Sequence, residues 1–158
     1  LENMSLADNK GKGYGLTKGV NKARIEEYRE SLRQLNLGLE DKLYTKVGSL
    51  SGGQRQALGL LMSTMTPIEF LILDEHTAAL DPKTAEIIME LTDKIVREKK
   101  VTTIMVTHNL RYAVEYGDRI LMMHQGNAVL DKAGEEKKAI STEEIMGIFN
   151  RISVECGN

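Results

Sequence analysis

The stretch LSGGQRQAL, Leu50 to Leu58, decides how this sequence is read. Ser51 is followed three residues later by Gln54, the spacing of a capping box with serine at the N-cap. Ala57, Leu58, Leu61, Met62 and Met65 then recur on one helical face, and Pro67 closes the run. The spacing predicts a helix that starts at Ser51 and continues to about residue 66. Gly52 and Gly53 carry no Cβ, so a ligand can approach the backbone of the first turn closely. Unpaired N–H groups and the positive end of the helix dipole face outward there together. That is an anion site suited to a terminal phosphate. An ordinary helix start with two turn glycines would leave the same pattern.

Downstream, FLIL (Phe70–Leu73) is a continuous apolar run that ends in Asp74-Glu75. Such a run is expected of a strand buried on both faces, as in a parallel sheet. A carboxylate at the carboxyl end of a buried strand lies where α/β folds bind ligands. Asp74 there can hold magnesium, which prefers carboxylate oxygen and water. Glu75 can orient or deprotonate a water aimed at a phosphoryl group. A strand running into an acidic surface loop is the plainer alternative.

Asp81-Pro82 reads as a helix start, with a capping acceptor and proline at the first helical position. Ile88, Leu91 and Ile95 supply that helix's inner face. VTTIMVTH (Val101–His108) reads as another buried strand, because it is rich in β-branched residues, which places His108 at another carboxyl strand end. An imidazole there can donate to a phosphate oxygen; a backbone carbonyl would satisfy it equally well. A short helix follows near Leu110–Tyr116. Ile120–Met123 and Ala128–Leu130 flank HQGN as a hairpin. Ser141-Thr142-Glu143-Glu144 opens a last amphipathic helix through Ile145, Ile148 and Phe149.

Upstream the pattern is helical. Ile25, Tyr28, Leu32 and Leu35 predict a helix over about Asn21–Leu35, and residues 40–50 are turn-rich. Residues 1–20 read as a loop with Gly11, Gly13, Gly15 and Gly19 among lysines. Those glycines do not form a phosphate-binding loop, because no Ser or Thr follows a Gly-Lys pair.

Composition narrows the classes. The chain has 158 residues, 41% hydrophobic and 28% charged, enough for one globular core. A net charge of −2, 4% aromatic content and no Trp give no basic patch or stacking platform for nucleic acid. Cys156 stands alone, so no intramolecular disulfide forms. No apolar run approaches the ~20 residues of a spanning helix. Leu1–Lys10 lacks the basic and then apolar order of a signal peptide. The first residue is Leu, from which a fragment or processed chain is expected. No pair of histidines has zinc-ligand spacing, and His76 and His124 read as structural or surface residues.

Taken in order, these pieces resemble one family. LSGGQ (50–54) is similar to the signature motif of ABC ATPases, and FLILDE (70–75) to their Walker B strand and catalytic glutamate. AALDP (78–82) is similar to their D-loop, and VTH (106–108) to their switch histidine. LENMSLA (1–7) resembles the segment after the Q-loop, whereas the family's Walker A loop, adenine-stacking aromatic and Q-loop glutamine lie farther upstream. The resemblance therefore implies the C-terminal portion of a nucleotide-binding subunit, inactive alone. The implied fold is α/β, a truncated P-loop NTPase with a helical subdomain followed by part of a parallel sheet with flanking helices. The expected divisions are 1–50 helical subdomain, 51–133 later half of the ATPase core, and 134–158 helical tail.

The resemblance also implies a mechanism with ATP and Mg²⁺. Two such subunits meet head to tail, and Ser51, Gly52, Gly53 and Gln54 serve the nucleotide held by the opposite subunit. Asp74 holds the metal, Glu75 and His108 act on the chain's own ATP, and Asp81 couples the two sites. The implied partners are a second nucleotide-binding subunit, a transmembrane permease and a substrate-binding protein, at the inner face of the cell membrane. A prokaryotic importer is the expected parent, with amino-acid-like or aromatic solutes. The alternative is an ABC-type ATPase that works on nucleic acid or ribosomes. Heptads or basic linkers would favour it, and the sequence has neither.

Overall fold

The computed structural model describes residues 1–11, 20 and 22–155. The chain divides into two compact units, Leu1–Ile104 and Met105–Asn158. This division follows packing, whereas the expected boundaries after residues 50 and 133 followed motif positions.

In the first unit, α1 (Glu2–Asp8) and α2 (Ile25–Arg33) precede two short 3₁₀ turns, Glu40–Lys42 and Val47–Ser49. Then come α3 (Gly52–Ser63), β1 (Phe70–Asp74), α4 (Pro82–Lys99) and the first residues of β2 (Thr102–Val106). α3 is the hub, packing against α1, α2 and α4. The reason is its sequence: Ala57, Leu58, Leu60 and Leu61 are all buried. α2 turns Tyr28 and Leu32 inward, and the turns beyond it bury Leu35, Leu39, Leu43 and Leu50. α4 starts at Asp81, whose carboxylate accepts from the Thr84 N–H at 3.0 Å, with Pro82 opening the helix. Its expected inner face is found: Ile88, Leu91 and Ile95 are buried. β1 and β2 pair as a two-stranded parallel sheet, joined through α4 as a strand–helix–strand unit.

Three expectations change in this unit. Residues 2–8 form a helix where a loop was expected. Tertiary partners hold it: Met4, Ser5 and Asp8 are buried, and the Tyr28 hydroxyl donates to Asp8 at 3.0 Å. Arg24 also pairs with Asp8, so α1 is tied to the start of α2 by a carboxylate. The remainder of the glycine-rich loop reading, residues 12–19, lies outside the described residues. The signature helix ends at Ser63, short of residue 66, because the Thr64 hydroxyl donates to the carbonyls of Leu60 and Leu61 and caps it. Finally, β1 is buried on one face only. Leu71 and Leu73 are inside, but Phe70 is 49% and Ile72 64% exposed. The uninterrupted apolar run thus carries two apolar faces, of which the described chain covers one. The same correction applies to β2, expected to be buried: Ile104 is 51% and Val106 48% exposed, because nothing in the described chain covers that face.

The second unit contains the later part of β2, then α5 (Leu110–Glu115), β3 (Arg119–His124), β4 (Asn127–Ala133), α6 (Gly134–Ala139) and α7 (Thr142–Glu155). Asn109 caps α5, its side-chain oxygen accepting from the N–H groups of Arg111 and Tyr112. β3 and β4 form the expected antiparallel hairpin, with His124 opposite Asn127 and a bulge between Met122 and Met123. Its two turn residues, Gln125 and Gly126, both have positive φ (46° and 80°), as a type I′ turn requires. Ile120, Leu130, Ile140 and Ile145 make the core, with Ile148 packed against it. Ser141 accepts from the Glu144 N–H at 3.1 Å and so starts α7 as expected. Phe149, expected on the inner face, is 54% exposed, since Ile145 and Ile148 already set the buried stripe. Cys156 lies outside the described residues.

Candidate functional site

The start of α3 is a complete capping box. Ser51 Oγ accepts from the Gln54 N–H at 3.2 Å, and Gln54 Oε1 accepts from the Ser51 N–H at 3.1 Å. Gln54 Oε1 also accepts from Lys42 Nζ at 3.2 Å, while its Nε2 donates to the Leu37 carbonyl at 3.0 Å. Both ends of the Gln54 side chain are therefore engaged inside the chain, and they lock the signature turn to the preceding loop. Ser51 is exposed. Its oxygen accepts in the cap, and its hydroxyl hydrogen has the chemistry to donate to an anion.

The two glycines have a second reason to be glycine. A Cβ on Gly53 would come within 2.4 Å of Thr84 Cγ2, and one on Gly52 within 3.0 Å of Leu80 Cδ2. Gly53 is buried. The absent side chains make room for the first turn of α4 and the segment before it, which brings the signature turn against the D-loop of the same chain. Asp81 sits between Leu80 and that helix, exposed, with its carboxyl held below the usual carboxylate range by the Thr84 side chain and then by the Thr84 N–H. It stays ionised at neutral pH.

At the end of β1, Asp74 and Glu75 are both exposed. Glu75 has φ +44°, in the left-handed region, which costs a non-glycine residue about 1–2 kcal/mol. Its carbonyl accepts from the Ala78 N–H at 2.9 Å, closing a tight turn. His76, within that turn, is half-buried, and its Nε2 lies 3.2 Å from the Thr92 hydroxyl on α4. Burial pushes the His76 imidazole below its ordinary pKa and keeps it neutral.

Among the described residues no group of three or more His, Cys, Asp or Glu side chains could hold a metal. Asp74 offers a carboxylate. That donor suits magnesium, which keeps several waters and takes its remaining ligands from phosphate oxygens. In the second unit, His108 is exposed between β2 and the Asn109 cap of α5. Its place after a strand is the expected one. Among the described residues, no helix is long and apolar enough to cross a membrane.

The sequence pattern of the ABC transporter family matches residues 1–78. A tyrosine transport ATP-binding protein of Clostridioides difficile is 51% identical over 94% of this chain and 59% of its own length. The chain belongs to the ABC transporter ATP-binding family. A phosphonates import ATP-binding protein of Oceanobacillus iheyensis is 37% identical over 75% of the chain and 45% of its own length. The chain thus spans about half to three-fifths of these relatives. Among solved structures, a dimeric bacterial ABC transporter cassette superposes with a TM-score of 0.63 at 28% identity, over 84% of this chain and 56% of that one.

Within this member of the ABC transporter family, the sequence had marked Ser51, Asp74, Glu75, Asp81 and His108 by type and position. It had not marked Leu80, Thr84 or Thr92. The signal for Thr92 was present: a polar residue four positions after Ile88 and three before Ile95 falls on the buried face of α4. Such a residue needs an internal partner.

Proposed function

We propose that this chain is the signature-to-C-terminal part of an ATP-hydrolysing subunit that drives solute import through a separate membrane permease. The observation that carries the reading is the exposed, fully capped Ser51 turn, whose hydroxyl hydrogen and helix dipole both favour an anion. The cap supplies half of a phosphate site and leaves the other half to a partner. A second copy of the complete subunit, arranged head to tail, would bring a nucleotide to it. That a related bacterial cassette is dimeric supports the pairing of two such subunits.

In this mechanism Ser51 donates to the terminal phosphate of ATP held by the opposite subunit, with the first N–H groups of α3 beside it. Asp74 holds Mg²⁺, which on binding would offset phosphate charge. Glu75 accepts a hydrogen bond from the attacking water and takes its proton as the new P–O bond forms and the bond from the terminal phosphorus to the bridging oxygen breaks, releasing ADP and phosphate. His108 donates to a phosphate oxygen. Asp81, ionised and adjacent to the signature turn of its own chain, couples the two sites. Loss of the terminal phosphate removes what joins the subunits, and the permease follows the opening.

The name of the phosphonates import relative favours import, and the tyrosine transport relative favours an aromatic amino acid as the solute; delivery by a substrate-binding protein is part of the same proposal. The test is ATP turnover by the full-length subunit carrying Glu75→Gln. Turnover is expected to fall at least a hundredfold while ATP binding persists. Unchanged turnover would remove Glu75 from its role and sink the reading. Uptake of labelled tyrosine by cells lacking the gene tests the solute: unimpaired uptake excludes it.

A further inference from the structure

The left-handed backbone at Glu75 needs something to hold it. Residues in sparsely populated backbone regions persist only where the surroundings over-determine them. The turn hydrogen bond from the Ala78 N–H to the Glu75 carbonyl is local and exposed on one side. A long-range contact is made by the next residue, whose ring reaches the side of α4.

The direction of that contact follows from the hydroxyl it meets. Thr92 is 5% exposed, and its Oγ1 lies 2.7 Å from the Ile88 carbonyl, to which it donates its one hydrogen. Thr92 Oγ1 therefore meets His76 as an acceptor, and His76 Nε2 must carry a hydrogen. The neutral Nε2–H tautomer satisfies this. The chain runs carbonyl of Ile88, hydroxyl of Thr92, ring of His76, and ends at the peptide that follows Glu75. Each link is within hydrogen-bond range, and two of the three groups sit on a helix of eighteen residues.

We propose that His76 is a positioning residue for Glu75: its ring, anchored on Thr92, fixes the left-handed turn that aims the Glu75 carboxylate beyond β1. The proposal rests on the role given to Glu75 above. His76 touches no reacting atom. It acts by setting the backbone angle from which the Glu75 side chain departs, and a displacement of about 1 Å there costs orders of magnitude in rate. Thr92 is the second half of the device, since an apolar isostere would leave the ring's N–H with no acceptor on α4.

Two measurements test this separately from the function. In the 158-residue chain, nitrogen-15 spectra of the histidine rings report the tautomer, and backbone carbon-13 shifts of Glu75 report its left-handed conformation. The expected result is an Nε2–H ring at His76, with Glu75 shifts that move toward ordinary values in Thr92→Val and stay in Thr92→Ser. An Nδ1–H ring, or Glu75 shifts indifferent to Thr92→Val, overturns the proposal. In the full-length subunit, His76→Ala and Thr92→Val are each expected to lower kcat at least tenfold with the KM for ATP unchanged. His76→Gln, which can place an amide N–H near Thr92, should recover most of it. The double variant should lose no more than either alone, because both break one contact. With Glu75→Gln inactive, a wild-type kcat in His76→Ala overturns the positioning role alone. An active Glu75→Gln overturns the reading of the site beneath it.

Discussion

Gly53, in the first turn of α3, faces Thr84, in the first turn of α4, so closely that any Cβ would lie 2.4 Å from the threonine methyl. The signature turn and the D-loop of one chain are thereby packed as neighbours. Asp81 accepts from the N–H of that same Thr84, so it is linked to the turn that packs on Gly53. The coupling assigned to Asp81 thus has a steric route inside the chain, beside any contact it makes with a second subunit.

Gly53→Ala should therefore destabilise the first unit by about 1–3 kcal/mol, the usual cost of forcing a methyl into a packed site. Thr84→Ala removes the methyl it meets, and the double variant should regain most of the loss. Urea unfolding of the three variants checks this. If the two effects simply add, the contact is not what makes residue 53 a glycine.

Ser51 has two separable roles, cap and phosphate donor. Ser51→Ala should cost about 1 kcal/mol of stability by removing the capping acceptor. Ser51→Asp keeps an acceptor at the N-cap but places a negative charge where a phosphate is to bind. Its stability should stay near wild type while ATP-dependent association and turnover of the full-length subunit collapse. Unfolding curves and sedimentation with ATP separate the two outcomes.

Acid should weaken the hairpin of the second unit first through Asp131. Arg119 donates to both carboxylate oxygens and holds the Asp131 carboxyl below the usual carboxylate range. A carboxyl whose pKa is lowered by folding adds stability that is complete above its unfolded value and is lost as pH falls through the folded one. The same sign applies to Asp81. Asp131→Asn should flatten the acid limb of stability against pH, and because the pair is exposed the change should be modest and shrink in high salt. Chemical unfolding at a series of pH values measures the slope.

α1 is held in part by one buried carboxylate, Asp8. Tyr28→Phe deletes the hydroxyl that donates to Asp8, which should cost about 1 kcal/mol. Amide exchange should quicken in Glu2–Asp8 before it does in α3 or α4. Uniform acceleration along the first unit would show that α1 is not separately held.

Much of the fold was written locally. The Ser51–Gln54 box, the Asp81-Pro82 start, the Ser141 cap and the Gln125-Gly126 turn each rest on partners within four residues, so residue type and spacing were enough to place them. The apolar stripe of α4 was legible for the same reason: helical geometry alone puts Ile88, Leu91 and Ile95 on one side. The acids after β1 and the histidine after β2 followed from where the strands stop.

What only the tertiary structure decided lies between residues far apart in the chain. The Tyr28–Asp8 bond that helps to hold α1 spans 20 positions, and the His76–Thr92 contact spans 16. The second reason for glycine at 52 and 53 is a neighbouring helix, and no local pattern names the partner. The same holds for β1, whose alternate residues are equally apolar; which face is covered depends on what packs there. The sequence by itself determined hydrogen bonds and periodicities that close within a turn or two, because backbone geometry fixes those distances. Contacts between elements depend on how helices and strands dock, and docking is set by the whole packed surface.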